Sequence, residues 1–267
     1  MKIAFCLFKY SPYSGLSLDF LRILEECQKR GHNTHVFVSE WHGDRPEGVQ
    51  ITVLEPPKFS LKFSNHAQNE QFHNKLQIEL KKEVFNVVVG FNKMPGLDLY
   101  YGADSCYVGD KVPQYPAIYK VFSRRYKGRY SFEEAVFGVE SRTLILSLSE
   151  GQKNDYQEHY FTPDDRFHLL PPTLDASFSP ITDRIHQREK LRIELDLPIN
   201  DLLLMFIGSG FRTKGLDKAI VGLASLPKDL QQRTSLIVVG DDDDEKQYRQ
   251  QADTALVSQK VLFLGGR

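Results

Sequence analysis

Short, nearly continuous apolar runs alternate along this chain with segments whose apolar residues recur at helical spacing, and few folds accept that alternation. The first run, Ile3-Ala4-Phe5-Cys6-Leu7-Phe8, is apolar at consecutive positions, as expected of a strand covered on both faces in a parallel sheet. After a Ser/Gly/Pro-rich loop, Leu16, Phe20, Ile23, Leu24 and Cys27 predict a helix, and Gly31 ends it. Further strands are predicted over 35–38, 51–54, 86–90, 144–148 and 167–170, with helices near 71–82 and from Ser149-Glu150 onward. Residues 91–97 read as a loop at the carboxyl end of the 86–90 strand, the edge where open parallel sheets bind ligands.

Pro171-Pro172 stiffens the exit from this half and reads as an interdomain hinge, which predicts domains over 1–170 and 171–267. The second half repeats the pattern: strand 202–207, glycine-rich loop 208–215, helix 216–226, strand 235–239, helix 247–257, strand 261–264. That is a βαβαβ half of a doubly wound sheet, so the fold class is α/β. Because the unit stops at Gly265-Gly266-Arg267, the expectation is a C-terminally truncated chain with an incomplete second domain.

Composition removes several function classes. With 34 basic and 35 acidic residues, no global field points to nucleic acid. Hydrophobic residues make up 41% and charged residues 26%, which indicates a globular protein. Cys6, Cys27 and Cys106 have no metal spacing, and their odd number argues against a disulfide framework, so a reduced, cytoplasmic setting is expected. The apolar start lacks a cleavage site, and no run approaches the ~20 apolar residues of a membrane span.

Two strand-to-helix loops are candidate anion sites. The first, Lys9 through Gly15-Leu16-Ser17-Leu18-Asp19-Phe20, either presents helix N–H groups to an anion or is an ordinary tight turn. The second, Gly208-Ser209-Gly210-Phe211-Arg212-Thr213-Lys214-Gly215, carries two cations and suits a diphosphate, although it is neither a dinucleotide fingerprint nor a P-loop. The four aspartates at 241–244 resemble a metal site, but a solvated loop that favours the following helix is the simpler reading, so no metal is expected. Asn65 and His66 lie in a polar loop, where they either bond a sugar or face water. The stretch 115–137 interleaves aromatics with cations, among them Tyr119, Lys120, Arg124, Arg125, Tyr126, Lys127 and Arg129. It suits an anionic membrane surface, and an RNA-binding segment would look similar.

Four segments together resemble one family. They are the first loop from Phe5 to Phe20, the string Val89-Gly90-Phe91-Asn92-Lys93-Met94-Pro95-Gly96-Leu97-Asp98, the second loop with Leu216-Asp217, and Leu223-Ala224-Ser225-Leu226-Pro227. The chain resembles, over its whole length, the lipopolysaccharide core α-1,3-glucosyltransferases (heptosyl glucosyltransferase I), retaining enzymes of glycosyltransferase family 4 with the GT-B fold. The resemblance implies two Rossmann-like domains facing across a cleft, the first binding acceptor and the second nucleotide sugar. It implies metal-free transfer of glucose from UDP-glucose to an inner-core heptose, with no cofactor. Gly15, Asp19, Gly208, Arg212 and Lys214 would then serve the donor. Asp98 would act near the reacting carbon at the carboxyl end of its strand, with Asp19 close by. Asn65, His66, Asn92 and Lys93 would meet the phosphorylated heptose, with Lys93 as the phosphate partner. The basic aromatic stretch would rest on the cytoplasmic face of the bacterial inner membrane, where the lipid-linked acceptor resides.

Three positions depart from the family pattern. The paired glycines of the first loop read Ser14-Gly15, and the Arg-Lys pair of the second reads Thr213-Lys214 with Arg212 shifted by one. The two glutamates that such enzymes carry seven residues apart are not matched, since Glu189 and Glu194 precede the first strand of the second domain. The alternative expectation is therefore a catalytically inactive remnant that retains only membrane or acceptor binding.

Overall fold

The computed structural model describes residues 1–12, 14–55, 65–110, 115–172 and 182–266, with the backbone alone for Asn65 and Ala117. Tyr13, Lys58, Lys62 and the Asn65 side chain thus lie outside the described residues, as does the segment following Pro172. The chain divides into two compact units, Met1–Thr173 and Leu174–Arg267.

The first unit is a sheet of seven parallel strands: β1 (Lys2–Tyr10), β2 (Asn33–Trp41), β3 (Gln50–Val53), β4 (Val87–Gly90), β5 (Leu99–Gly102), β6 (Leu144–Ser147) and β7 (Phe167–Leu169). Their spatial order is β3-β2-β1-β4-β5-β6-β7. The helices are α1 (Gly15–Lys29), α2 (Asn65–Leu80), α3 (Tyr107–Asp110), α4 (Ala117–Phe122), α5 (Arg124–Phe137) and α6 (Glu150–Tyr160). β1 shows why its run is continuous. Ile3, Phe5 and Leu7 pack with Phe20 and Leu24 of α1, whereas Ala4 and Cys6 join the core of Phe72, Leu76, Phe137 and Tyr156. Successive side chains point to opposite faces, so both faces of a clad strand must be apolar. Each fully buried Phe or Leu contributes roughly 1.5–3 kcal/mol.

The loop predicted over 91–97 hides a tight parallel crossover. The chain leaves β4 at Gly90, turns through a left-handed Gly96 (φ 80°), and re-enters the sheet as β5 within eight residues. Parallel strands usually need about a dozen residues to return. Here the return is possible because Leu97, which is buried, lies directly against the bare backbone of Gly90.

That crossover relocates Asp98. It was expected at a carboxyl end, yet it immediately precedes β5, at the strand's amino end. Its N–H donates to Val88 O at 3.0 Å and its carboxylate accepts the Val88 N–H at 2.8 Å. The ligand-facing edge at Gly102 is four residues further on, about 13 Å at ~3.3 Å per residue. Asp98 is thus an exposed ladder cap, far from the edge at which catalysis was expected.

The second unit holds α7 (Arg184–Glu194), β8 (Leu202–Ile207), α8 (Phe211–Lys214), α9 (Leu216–Ala224), α10 (Lys228–Gln232), β9 (Thr234–Val239), α11 (Glu245–Thr254) and β10 (Val261–Phe263). Its parallel sheet runs β10-β9-β8. Central β9 buries Leu236 and Val238 against Phe211, Leu216, Ile220, Leu223 and Tyr248. Edge strand β8, equally apolar in sequence, leaves Leu204, Met205 and Ile207 exposed.

Gly90→Ala is expected to lower stability by about 1–3 kcal/mol in urea unfolding, because the new methyl would overlap Leu97. Gly222→Ala in α9, where a Cβ meets nothing within 4 Å, is the control and should be neutral or stabilising. Equal effects at the two positions would contradict this account of the crossover.

Candidate functional site

At the carboxyl edge of the first sheet, β1 runs into the loop that opens α1. The Ser14 side chain at the start of this helix makes no cap bond. A Cβ on Gly15 would meet nothing within 4 Å, so the approach to the first turn is open. One turn further on, Asp19 accepts a hydrogen bond from Tyr101 Oη at 2.9 Å and pairs with Arg22 at 3.4 Å. Burial, and then the Asp19 carboxylate, push the Tyr101 hydroxyl well above its ordinary range, so it stays a donor to Asp19.

Beside this edge lies a cavity of about 330 Å³ between the β4 exit, α2, α3 and α5. Its lining includes Phe8, His66, Glu70, Asn92, Lys93, Asp104, Tyr107, Arg129 and Glu133. His66 belongs to α2 and not to a loop, and Gly128 of α5 lets the two helices approach. A Cβ there would come within 2.7 Å of Glu70 Oε1 and 3.3 Å of His66 Cδ2. Asn92 turns its amide oxygen onto the Phe8 N–H at 2.8 Å, fixing the end of β1. The structure therefore brings three of the four expected acceptor residues (His66, Asn92 and Lys93) to one cavity.

Lys93 differs most from expectation. Its ammonium pairs with the fully buried carboxylate of Glu133 and donates to Ser105 O at 2.6 Å. The rings of Tyr156 and Phe137 lie 5.1 and 5.8 Å away. Glu133 also accepts the Tyr107 N–H at 2.9 Å, the Val108 N–H at 3.2 Å and the Tyr160 hydroxyl at 2.7 Å. Burial, and then the Glu133 charge, push the Tyr160 hydroxyl far up, so it too remains a donor. Lys93 is thus a neutralised structural cation with one N–H to spare, not a free phosphate partner. Sequence reasoning missed Glu133, Tyr160 and the cavity role of Arg129. The only local signal was a glutamate pair, Glu133-Glu134, inside an otherwise basic helix.

The basic aromatic stretch forms α4 and α5. Ile118, Val121 and Phe122 are exposed (68, 58 and 76%), next to exposed Arg124, Arg125 and Lys127. Tyr119, Lys120 and Tyr126 are half-buried, and Tyr126 stacks on Tyr130. Arg129 leaves this group, lining the cavity with its guanidinium 5.4 Å from the Tyr107 ring.

In the second unit, the glycine-rich loop leaves the carboxyl end of β8. Gly208, Gly210 and Gly215 have φ of 131°, 72° and 80°, which explains their identity. The Lys214 side chain folds back against bare Gly208, where a Cβ would collide with its ammonium. Arg212 and Lys214 are exposed, and neither forms an ion pair among the described residues. The aspartates after β9 turn elsewhere: Asp242 accepts the Phe211 N–H at 2.7 Å and Asp241 accepts the Gly266 N–H at 2.9 Å. Among the described residues, no group of three or more His, Cys, Asp or Glu is arranged to hold a metal ion. No helix among them is long and apolar enough to cross a membrane.

Comparison with known proteins places this geometry. Residues 187–267 match the family model for glycosyl transferases group 1. Over all 267 residues the chain is 37% identical to the lipopolysaccharide glucosyltransferase WaaG of Escherichia coli (strain K12), covering 70% of that protein. A D-inositol 3-phosphate glycosyltransferase of Xylanimonas cellulosilytica is 32% identical over 116 residues, which are 43% of this chain and 26% of that protein. The crystal structure of WaaG, a glycosyltransferase involved in lipopolysaccharide biosynthesis, superimposes with a TM-score of 0.90 at 36% identity, covering 99% of this chain and 70% of that one. Anabaena Alr3699/HepE, solved with UDP and glucose, shares the fold with a TM-score of 0.64 at 17% identity, covering 100% of this chain and 70% of that one. The chain belongs to the lipopolysaccharide glucosyltransferase family, hexosyltransferases of the GT-B fold that act in lipopolysaccharide core biosynthesis.

Proposed function

We propose that this chain transfers glucose from UDP-glucose to a heptose of the lipopolysaccharide inner core, with retention and without a metal, at the cytoplasmic face of the inner membrane. The observation that carries the donor side is the pair of unpaired cations, Arg212 and Lys214, at the carboxyl end of β8. Asp242 reaches the start of α8 across the fold, yet it bonds the Phe211 N–H and leaves the cations available to a diphosphate. As the bond between glucose and phosphate breaks, charge grows on the departing UDP, and a fixed ammonium lowers the barrier by meeting that charge. Within the first unit, the open approach at Gly15 and the Asp19 carboxylate held by Tyr101 support the same donor reading of the first loop taken by itself. Asp98 has no part in this proposal, because it caps the amino end of β5.

The cavity of the first unit is the proposed acceptor site. With Glu133 and Lys93 committed to each other, Glu70, Asp104 and Arg129 supply the remaining charged groups of its lining, and Phe8 and Tyr107 supply apolar surface. That mixture suits a hydroxyl-rich ring that donates to carboxylates and packs on aromatics, with His66 and Asn92 as further polar partners. Ile118, Val121 and Phe122, flanked by Arg124, Arg125 and Lys127, support contact with anionic lipid around the acceptor's anchor.

The deciding experiment is turnover by the purified chain with UDP-glucose and a heptose-terminated core lipid. Glucosylated lipid with the α configuration of the donor is expected, at a rate unchanged by EDTA. No product at saturating substrate, or a product with an inverted anomer, would overturn the proposal. Lys214→Ala should raise the KM for UDP-glucose about tenfold, the scale of one charge-assisted contact. Lys93→Ala should act chiefly on stability, costing roughly 3–5 kcal/mol in denaturant unfolding, because it leaves the Glu133 charge buried and unpaired. Phe122→Ser should weaken flotation with phosphatidylglycerol vesicles while leaving the unfolding midpoint unchanged. An equal loss of both would mean that Phe122 is a packing residue.

A further inference from the structure

We infer that Asp242 is a positioning residue for the donor diphosphate, acting through α8 on Lys214. This inference rests on the donor reading of the glycine-rich loop. Asp242 reaches the turn that carries two exposed cations, yet among the described residues it forms an ion pair with neither. Asp242 is committed to the backbone instead. Its Oδ2 accepts the Phe211 N–H at 2.7 Å and its Oδ1 accepts the Asp244 N–H at 2.9 Å. These amide bonds, Asp244 first and then Phe211, hold its carboxyl below the usual range, so the side chain stays an acceptor.

The Phe211 bond ties the exit of β8 to the exit of β9, and the Asp244 bond fixes the carboxylate within its own turn. The exits already touch: a Cβ on Gly240 (φ 138°) would come within 2.6 Å of Gly208 C and 3.1 Å of Ser209 N. α8 is a single turn running from Phe211 to Lys214. One end of that turn is held by Asp242, and the other carries the ammonium that folds back over Gly208. Rotating the turn about its Phe211 end would therefore swing Lys214 away from Gly208. The Phe211 ring, fully buried against Phe206 and Tyr248, keeps the turn docked but does not fix its rotation. Asp242 supplies that second constraint. It does so with a carboxylate that leaves Lys214 unneutralised, because both of its oxygens are occupied by amides.

The probe is UDP, titrated by calorimetry against the purified chain and its variants, alongside KM values for UDP-glucose and for the lipid acceptor. Asp242→Ala should weaken UDP binding and raise the donor KM about tenfold, with the acceptor KM unchanged, as two lost amide–carboxylate bonds would allow. Asp242→Asn keeps one oxygen for the Phe211 N–H and should recover most of the loss. In the Lys214→Ala background, Asp242→Ala should cost less than about twofold, since the two residues act as one unit. Full additivity, or wild-type UDP affinity in a folded Asp242→Ala variant, would overturn the inference. Lys214→Ala separates this result from failure of the donor reading. If that variant binds UDP normally, the donor reading falls and this inference with it. If it binds UDP weakly while Asp242→Ala does not, only this inference falls.

Discussion

The buried carboxylate of Glu133 gathers the functional end of the first unit. Four separate pieces of backbone meet at it: α5, which carries it, the β4 exit through Lys93, the start of α3 through the Tyr107 and Val108 amides, and α6 through Tyr160. A carboxylate with no exposed surface is tolerated only when its charge is paired and its lone pairs are occupied, and Glu133 meets both conditions. Arg166 secures the carboxyl end of the same helix, one turn beyond Glu133, donating to the carbonyls of Val136, Gly138 and Thr143. The carboxyl-terminal half of α5 is thus held twice, by Glu133 from within and by Arg166 at its last turn, and this anchors the cavity wall to which Arg129 belongs.

The second unit solves a related problem with the opposite charge arrangement. In the first unit a carboxylate neutralises a lysine and makes it structural. In the second, carboxylates are absorbed by backbone amides, and the lysine and arginine stay exposed. The difference follows from what each carboxylate can reach. Glu133 projects from a long helix into a closed interior where Lys93 is the nearby cation. Asp241 and Asp242 lie at strand exits, surrounded by N–H groups of turns whose glycines leave no side chain in the way.

Much of this architecture was legible in the sequence because two-faced burial writes itself as continuous apolar runs. Residues 3–8 and 35–38 lie in strands, as do all but Leu54 of the predicted 51–54 strand, and the glycine-rich loop at 208–215 falls where a strand gives way to a helix. β5 escaped notice because Leu99-Tyr100-Tyr101-Gly102 is too short to show a period, and its return from β4 depends on Leu97 seating on Gly90, a contact that no spacing announces. The misplacement of Asp98 followed directly from that missing strand. His66 read as a loop residue because the polar start of α2 has almost no amphipathic pattern. The bond between Lys93 and Glu133 spans 40 residues and has no local trace, so a buried structural cation looked like a free one.

Charge accounting along the sequence alone therefore misjudges which cations are available. Lys93 and Lys214 both follow a strand within a glycine-containing loop, and by composition they are equivalent. What separates them is the depth of the nearest carboxylate. A buried acid must find a cation, because burial without one is costly, so it captures the closest ammonium and holds it. A solvated acid gains little from an exposed ion pair, commonly under ~1 kcal/mol, and two aligned backbone amides compete successfully for it. In a fold that presents loops at the carboxyl edge of a parallel sheet, the cations left for an anionic ligand are those whose neighbouring acids are exposed and already occupied by amides. Arg212 and Lys214 meet that condition, and Lys93 does not.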